Sequence, residues 1–324
     1  MLQLINKTAW PAALIAGIDH HDHPIVTVVV KSTRRWAAAT GAPPPVEEPV
    51  HYAALPWEQA AASARRPADV ACAADGTDVL VCGEAVMPRP IAIQLASITV
   101  PGAEIRLRLS GARRWEKGLL SWGVSDPAPF TRLPLCWEQA VGGVDAKGRR
   151  SPRNPVGRGW APPKDGDPLP CIDDPAKPYQ RPGDRPEPVC TAPVAPGWQP
   201  RLAFAGTYDA AWQTGRAPLL PKDFDPRFHR QAPGALALPR HLAPGEQIRL
   251  AGFTAAPAEP FVVPGDGPQV IVRIAGRDRT VVPTLDQIVF IPDAGMVTLT
   301  WRHTLVAEAT AVQFAWVVPR GGKP

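Results

Sequence analysis

The chain has 324 residues, 45% of them hydrophobic and 20% charged, a balance that supports a packed core and excludes an intrinsically disordered protein. Its formal charge of +5 is dispersed over short clusters, Arg65-Arg66, Arg113-Arg114 and Lys147 to Arg153, with no basic helix or interleaved aromatic ladder, which argues against nucleic acid as a partner. Forty-two prolines, about 13% against roughly 5% in ordinary proteins, exclude long helices because each removes a backbone donor and clashes with the preceding turn.

A chain of this length exceeds the usual single-core limit, so one elaborated domain or intimate subdomains is expected. The first strand candidates are Leu2 to Thr8 and the β-branched run Pro24 to Thr33. Between them His20-His21-Asp22-His23 reads as a polar hairpin tip rather than a metal site, since zinc ligands need fixed spacing and partners elsewhere. The uncharged run Ala9 to Ile18 imitates a signal peptide poorly: Pro11 interrupts it and an acid and three histidines follow. No stretch reaches the roughly 18–20 apolar residues of a membrane span. After a proline-rich passage, Gly41 to Pro49, the alanine-rich segment Pro56 to Arg66 predicts a helix with proline in its first turn.

From Asp78 the period changes to two. Val79 to Cys82, Ile91 to Val100 and Glu104 to Leu109 read as strands, the last placing Ile105, Leu107 and Leu109 on the core face and Glu104, Arg106 and Arg108 on the other. Arg113 to Trp122 is expected as its partner across a turn at Gly111. The stretch Pro129 to Trp160 is largely loop, with turns at Gly142-Gly143 and at Asn154-Pro155-Val156-Gly157-Arg158-Gly159. Ala161 to Pro200 is too rich in proline for regular structure. Farther on, Thr207 is a candidate cap for a short helix carrying Tyr208, Asp209 and Trp212, and Asp225-Pro226 repeats the acidic cap followed by proline. Six strands close the chain: Gln247 to Phe253, Gln269 to Ile274, Arg279 to Val282, Gln287 to Ile291, Met296 to Arg302 and Ala311 to Val317. In the fifth, Val297, Leu299 and Trp301 share one face and Thr298, Thr300 and Arg302 the other. The fold class is therefore mainly β: antiparallel sandwich-like or barrel-like units with few short helices and long proline-rich loops. An N-terminal β-rich part (1–128), a central motif-bearing part (129–233) and a C-terminal β part (234–324) are expected to form one intimate domain.

The chain carries no nucleophile elbow, Walker loop, H-E-x-x-H motif, EF-hand loop or convincing dinucleotide fingerprint. Five cysteines, Cys72, Cys82, Cys136, Cys171 and Cys190, have no C-x-x-C pair, so neither a zinc site nor a disulfide framework is signalled, and the sparse odd set fits a reducing cytoplasm. Asp209, Asp223 and Asp225 are candidates for a carboxylate pair in glycoside or peptidoglycan hydrolysis, against the commoner use of such acids as helix caps. Trp137, Trp212 and Trp301 are binding-site aromatics or core, with core favoured. A carbohydrate-binding β module is a further alternative.

Four blocks settle on a family: LQLINKTAWPAALIAGIDHHDHPIVTVVVKSTRRW, PFTRLPLCWEQAVGG with NPVGRGW, GTYDAAWQTGRAPLLPKDFDPRFHRQAP, and LDQIVFIPDAGMVTLTWR. Together, in this order and over nearly the whole chain, they resemble the bacterial DUF2169 family. The resemblance implies a cytoplasmic, non-catalytic adaptor or chaperone that binds a toxin effector of a type VI secretion system and promotes its loading onto the VgrG spike, often tipped by a PAAR protein. It implies no cofactor, metal, catalytic residue, membrane or nucleic acid. Its recurring blocks contain Trp137, Glu138, Asn154, Pro155, Gly157, Gly159, Tyr208, Asp209, Trp212, Asp223, Asp225 and Arg227, candidates either for shaping the fold or for contacting the partner.

Overall fold

The computed structural model describes residues 3–36, 46–57, 63–255, 260–307 and 312–321. Strands dominate it, in three larger open sheets and several two-stranded ribbons. Strand β1 (Gln3–Asn6) runs parallel to Val312–Pro319 at one edge of a four-stranded sheet that continues through Pro268–Ile274 to Arg277–Val281. Strands β2 (Ala12–Ile18) and β3 (Pro24–Arg35) form a hairpin, and the five-stranded sheet continues through Met296–Val306 and Thr284–Ile291 to Asp78–Val81, which is parallel to its neighbour. A second five-stranded sheet has the order Ile172–Asp173, Ala103–Ser110, Ile93–Val100, Gln247–Ala251, Phe261–Val262. Strands from the two ends of the chain thus alternate within single sheets.

Alternation explains how one sheet serves two cores. On the β3 sheet, Val26, Val28 and Val30 share a face with their cross-strand neighbours Leu305 and Trp301 and, farther along, with Leu299 and Val297. At one end this face packs on Val270, Val272, Ala315 and Val317 of the four-stranded sheet. At the other, Leu299, Ile288 and Phe290 belong to a core with Ile98, Leu107 and Leu109 of the second five-stranded sheet. Trp301 sits at the junction, 4% exposed and stacked on Trp10 with ring centroids 5.6 Å apart.

The opposite face is polar and equally buried. Thr27, Lys31, Thr33, Thr298, Thr300 and Arg302 lie under segments 46–57 and 63–78, which cross the sheet as a strap. Asp69 is the strap's anchor. Its carboxylate accepts from Lys31 Nζ at 2.9 Å, from the His51 N–H at 2.7 Å and from the Thr300 hydroxyl at 3.2 Å, while its carbonyl accepts from Arg302 Nε at 2.7 Å. This buried carboxylate, ringed by donors, pins the strap to the sheet.

Three local expectations are corrected. Leu55–Pro56 pairs in antiparallel fashion with Ala64–Arg66, so both ends of the expected helix at 56–66 are extended; its middle, 58–62, lies outside the described residues. The physical reason is Ser63, whose N–H and hydroxyl are both held by the Glu138 carboxylate. Ile91 to Val100 is broken at Ala92 into Glu84–Ile91 and Ile93–Val100. Ala103–Ser110 shows the expected inward leucines, but its neighbours are Ile93–Val100 and Ile172–Asp173. Gly111 is not a hairpin turn: a Cβ there would lie 1.7 Å from the Ala128 carbonyl oxygen, and Trp115–Lys117 pairs instead with Trp122–Val124.

Candidate functional site

The proline-rich centre has little regular structure and much burial. Leu169, Cys171, Ile172, Tyr179, Cys190, Val194 and Trp198 all lie in cores, so 161–200 lines the interior as it crosses it. Trp137 opens a 3-10 turn (Trp137–Gln139), and its indole donates to the carbonyls of Ala192 and Pro193 at 3.2 and 3.0 Å. Burial opposes ionisation of the neighbouring Glu138, but the Ser63 donors outweigh it and hold this carboxyl below its ordinary range.

Asn154 ties the stretch into a knot. It is fully buried, and its amide donates to the carbonyls of Trp137 (2.8 Å) and Val141 (2.9 Å). The half-buried Pro155 follows and fixes φ where the chain turns back. Val141–Gly142 then pairs in parallel with Arg158–Gly159. Only glycine fits at 157, because a Cβ there would stand 2.3 Å from Asn154 Nδ2 and 2.5 Å from the Ala140 oxygen. Gly159 combines φ of 98° with the Tyr179 ring pressed against it, and the Tyr179 hydroxyl donates to its carbonyl at 2.8 Å. Trp137, Glu138, Asn154, Pro155, Gly157 and Gly159 therefore act together on the backbone.

The other six candidates lie on a separate surface arm. Asp209 rather than Thr207 caps the short helix α1 (Ala210–Gly215), accepting from the Trp212 N–H at 2.8 Å. Tyr208, half exposed, meets the Trp212 ring edge-on at 4.7 Å, and the Trp212 indole donates to Leu219. Asp223 accepts from Thr207 N–H and hydroxyl, Asp225 caps Pro226–His229, and Arg227 lies beside Asp225 with its guanidinium 4.4 Å above the Phe204 ring. The Thr207 donors hold the Asp223 carboxyl below its usual range, and Arg227 does the same for Asp225. Among the described residues no hydrogen bond, ion pair or ring contact joins this arm's six candidates to the six of the knot.

What the knot positions is Trp160. The chain leaves Gly159 with the Trp160 N–H donating to Gly142, and Trp160 packs beside Trp115, Val141, Leu169 and Tyr179. On the outside it divides two adjoining clefts. One, of about 190 Å³, is lined by Trp115, Val144, Arg158, Trp160, Pro163 and Asp167. Its neighbour, of about 410 Å³, shares Trp160 and Pro163 and adds Lys147, Arg149, Pro182 and Arg185. The Arg185 guanidinium stands 5.7 Å from the Trp160 ring centroid and donates to the Gly159 and Trp160 carbonyls. From Trp115 the ribbon Trp115–Lys117/Trp122–Val124 runs out to Leu119 and Leu120, both fully exposed. Trp160 stood inside the NPVGRGW block, yet glycine and asparagine drew attention from it; Arg185 and Lys147 carry no local signal, since only folding brings them to the ring.

All five cysteines are free, and burial pushes the Cys82 and Cys190 thiols up to about 12, so neither is a nucleophile at neutral pH. Among the described residues no three His, Cys, Asp or Glu side chains converge as a metal ion requires. No helix among them is long and apolar enough to cross a membrane.

The fold and its knotted centre thus define a mainly β protein whose longest irregular segment is fixed by its own side chains. The chain belongs to the bacterial family described as an uncharacterized protein conserved in bacteria (DUF2169), whose model matches residues 21–302. Neither the curated proteins nor the solved structures contain a match to it.

Proposed function

We propose that this protein is a non-catalytic cytoplasmic adaptor that binds a toxin effector of a type VI secretion system and promotes its loading onto the VgrG or PAAR spike, and that the Trp160 clefts receive the client. The observation that carries the binding surface is the exposed aromatic and proline-lined trough beside Trp160, held by the Asn154 knot and bordered by Lys147, Arg149 and Arg185. Such a trough suits an extended acidic segment: the prolines and Trp160 supply rigid apolar contact at small entropic cost, and Lys147 and Arg185 supply complementary charge, Arg149 being paired with Asp145. The acids that a hydrolase would need support this choice, because Asp209, Asp223 and Asp225 each serve as a bracket for their own loop.

The test uses point variants, since deletion within 161–200 removes core residues. Trp160→Ala and Lys147→Glu are measured by calorimetry against a purified client encoded beside the adaptor gene. Affinity is expected to fall at least tenfold, about 1.4 kcal/mol, with the circular dichroism spectrum unchanged. Wild-type affinity in both variants refutes the trough as the docking site.

A further inference from the structure

The β2 strand is a free edge with an unusual composition. Among the described residues it pairs only with β3, and its seven residues, Ala12 to Ile18, contain neither charge nor proline. Natural sheet edges are normally blunted by charge, proline, shortness or cover. The other edges of the larger sheets are charged, buried or short: Arg277–Val281 is charged, Asp78–Val81 is buried, Gln3–Asn6 is four residues long, and Ile172–Asp173 and Phe261–Val262 are two residues long.

The β2–β3 register shows which backbone groups are unused. Lys31 N donates to Pro11 O and Asp19 N to His23 O, both at 2.9 Å, so the odd-numbered positions between them are the hydrogen-bonded pairs with β3. The N–H and C=O groups of Ala12, Leu14, Ala16 and Ile18 therefore point outward. This open window is capped at both ends: Asn6 Nδ2 donates to Trp10 O at 2.6 Å, and Arg216 Nη2 to His20 O at 3.3 Å.

We infer that this edge pairs with the same edge of a second copy of the chain. The window is symmetric about Ile15, and antiparallel self-pairing there sets Leu14 against Ala16 and Ile18 against Ala12, large on small on that face, with Ile15 against its own copy on the other. It aligns the capped Trp10 end of each copy with the capped His20 end of the other. Residue 15 faces its own copy in a non-hydrogen-bonded pair, with Cα atoms about 4.5 Å apart.

Light scattering after gel filtration tests this on the full chain. The wild type is expected at twice the chain mass. Ala16→Lys and Ala16→Pro are expected at the monomer mass with unaltered thermal midpoints, because residue 16 is exposed and its N–H is unused within the monomer. The register has its own test: Ile15→Cys is expected to give a disulfide-linked dimer on mild oxidation, its Cα spacing falling within the disulfide range, and Ile18→Cys is not. A monomeric wild type, dimeric Ala16 variants, or cross-linking at 18 but not at 15 would each overturn the inference.

Discussion

Replacing Asn154 with alanine removes the knot's central bracket and leaves the rest of the segment intact. Two donated hydrogen bonds disappear, to Trp137 O at 2.8 Å and Val141 O at 2.9 Å, in a fully buried setting. Each bond is worth about 1 kcal/mol net, and the Val141 carbonyl, left without a donor, adds a desolvation cost of similar size, whereas the Trp137 carbonyl keeps the Ala140 N–H, so the total is about 3 kcal/mol. Equilibrium urea unfolding followed by tryptophan fluorescence measures it, because Trp137 and Trp160 report on either side of the knot. The comparison is Tyr208→Ala on the exposed arm, expected within about 0.5 kcal/mol of wild type. A loss under about 1 kcal/mol for Asn154→Ala would refute the view that this side chain holds the segment, and would make the glycines at 157 and 159 the sole determinants of its path.

Other expectations are independent of this one. Lys31→Met strands the buried Asp69 carboxylate and is expected to cost about 3–5 kcal/mol, with part restored in Lys31→Met/Asp69→Asn, read by urea midpoints. His229 is held neutral chiefly by burial, with Arg201 contributing, its pKa moved down to about 4. The unfolded chain then binds the extra proton between pH 6.5 and 4, so stability falls as pH drops through that window, by about 2 kcal/mol allowing for partial exposure. His229→Gln is expected to flatten that part of the thermal-midpoint profile; an unchanged slope contradicts it.

How much of this was legible in the sequence depends on the range of the interaction. Alternation with period two located Ala103–Ser110 and the C-terminal strands, because the faces of a strand are set by its own side chains. Pairing of β3 with Met296–Val306 was not legible, since the register is fixed by contacts across most of the chain. Period two also could not tell that Thr298, Thr300 and Arg302 are buried: it marks them polar, and their burial comes from the strap and Asp69. The alanine-rich run at 56–66 misled because local propensity lost to the hold of Glu138 on Ser63. Proline density marked 161–200 as irregular, which holds except at the short strand Ile172–Asp173, and said nothing of burial, which reaches Tyr179. At the candidate site, Gly157 and Gly159 stand where a Cβ would meet Asn154 or Tyr179, a crowding that a glycine-rich turn can signal, while the Arg185 and Trp160 pairing needed the fold.

The adaptor role is tested most directly by expressing the protein, tagged, together with the products of its neighbouring genes, and identifying and sizing what elutes by mass spectrometry and light scattering. The account predicts a stoichiometric complex with a toxin-like protein or a spike component. Elution of the protein free of them, with those products expressed and soluble, would contradict it.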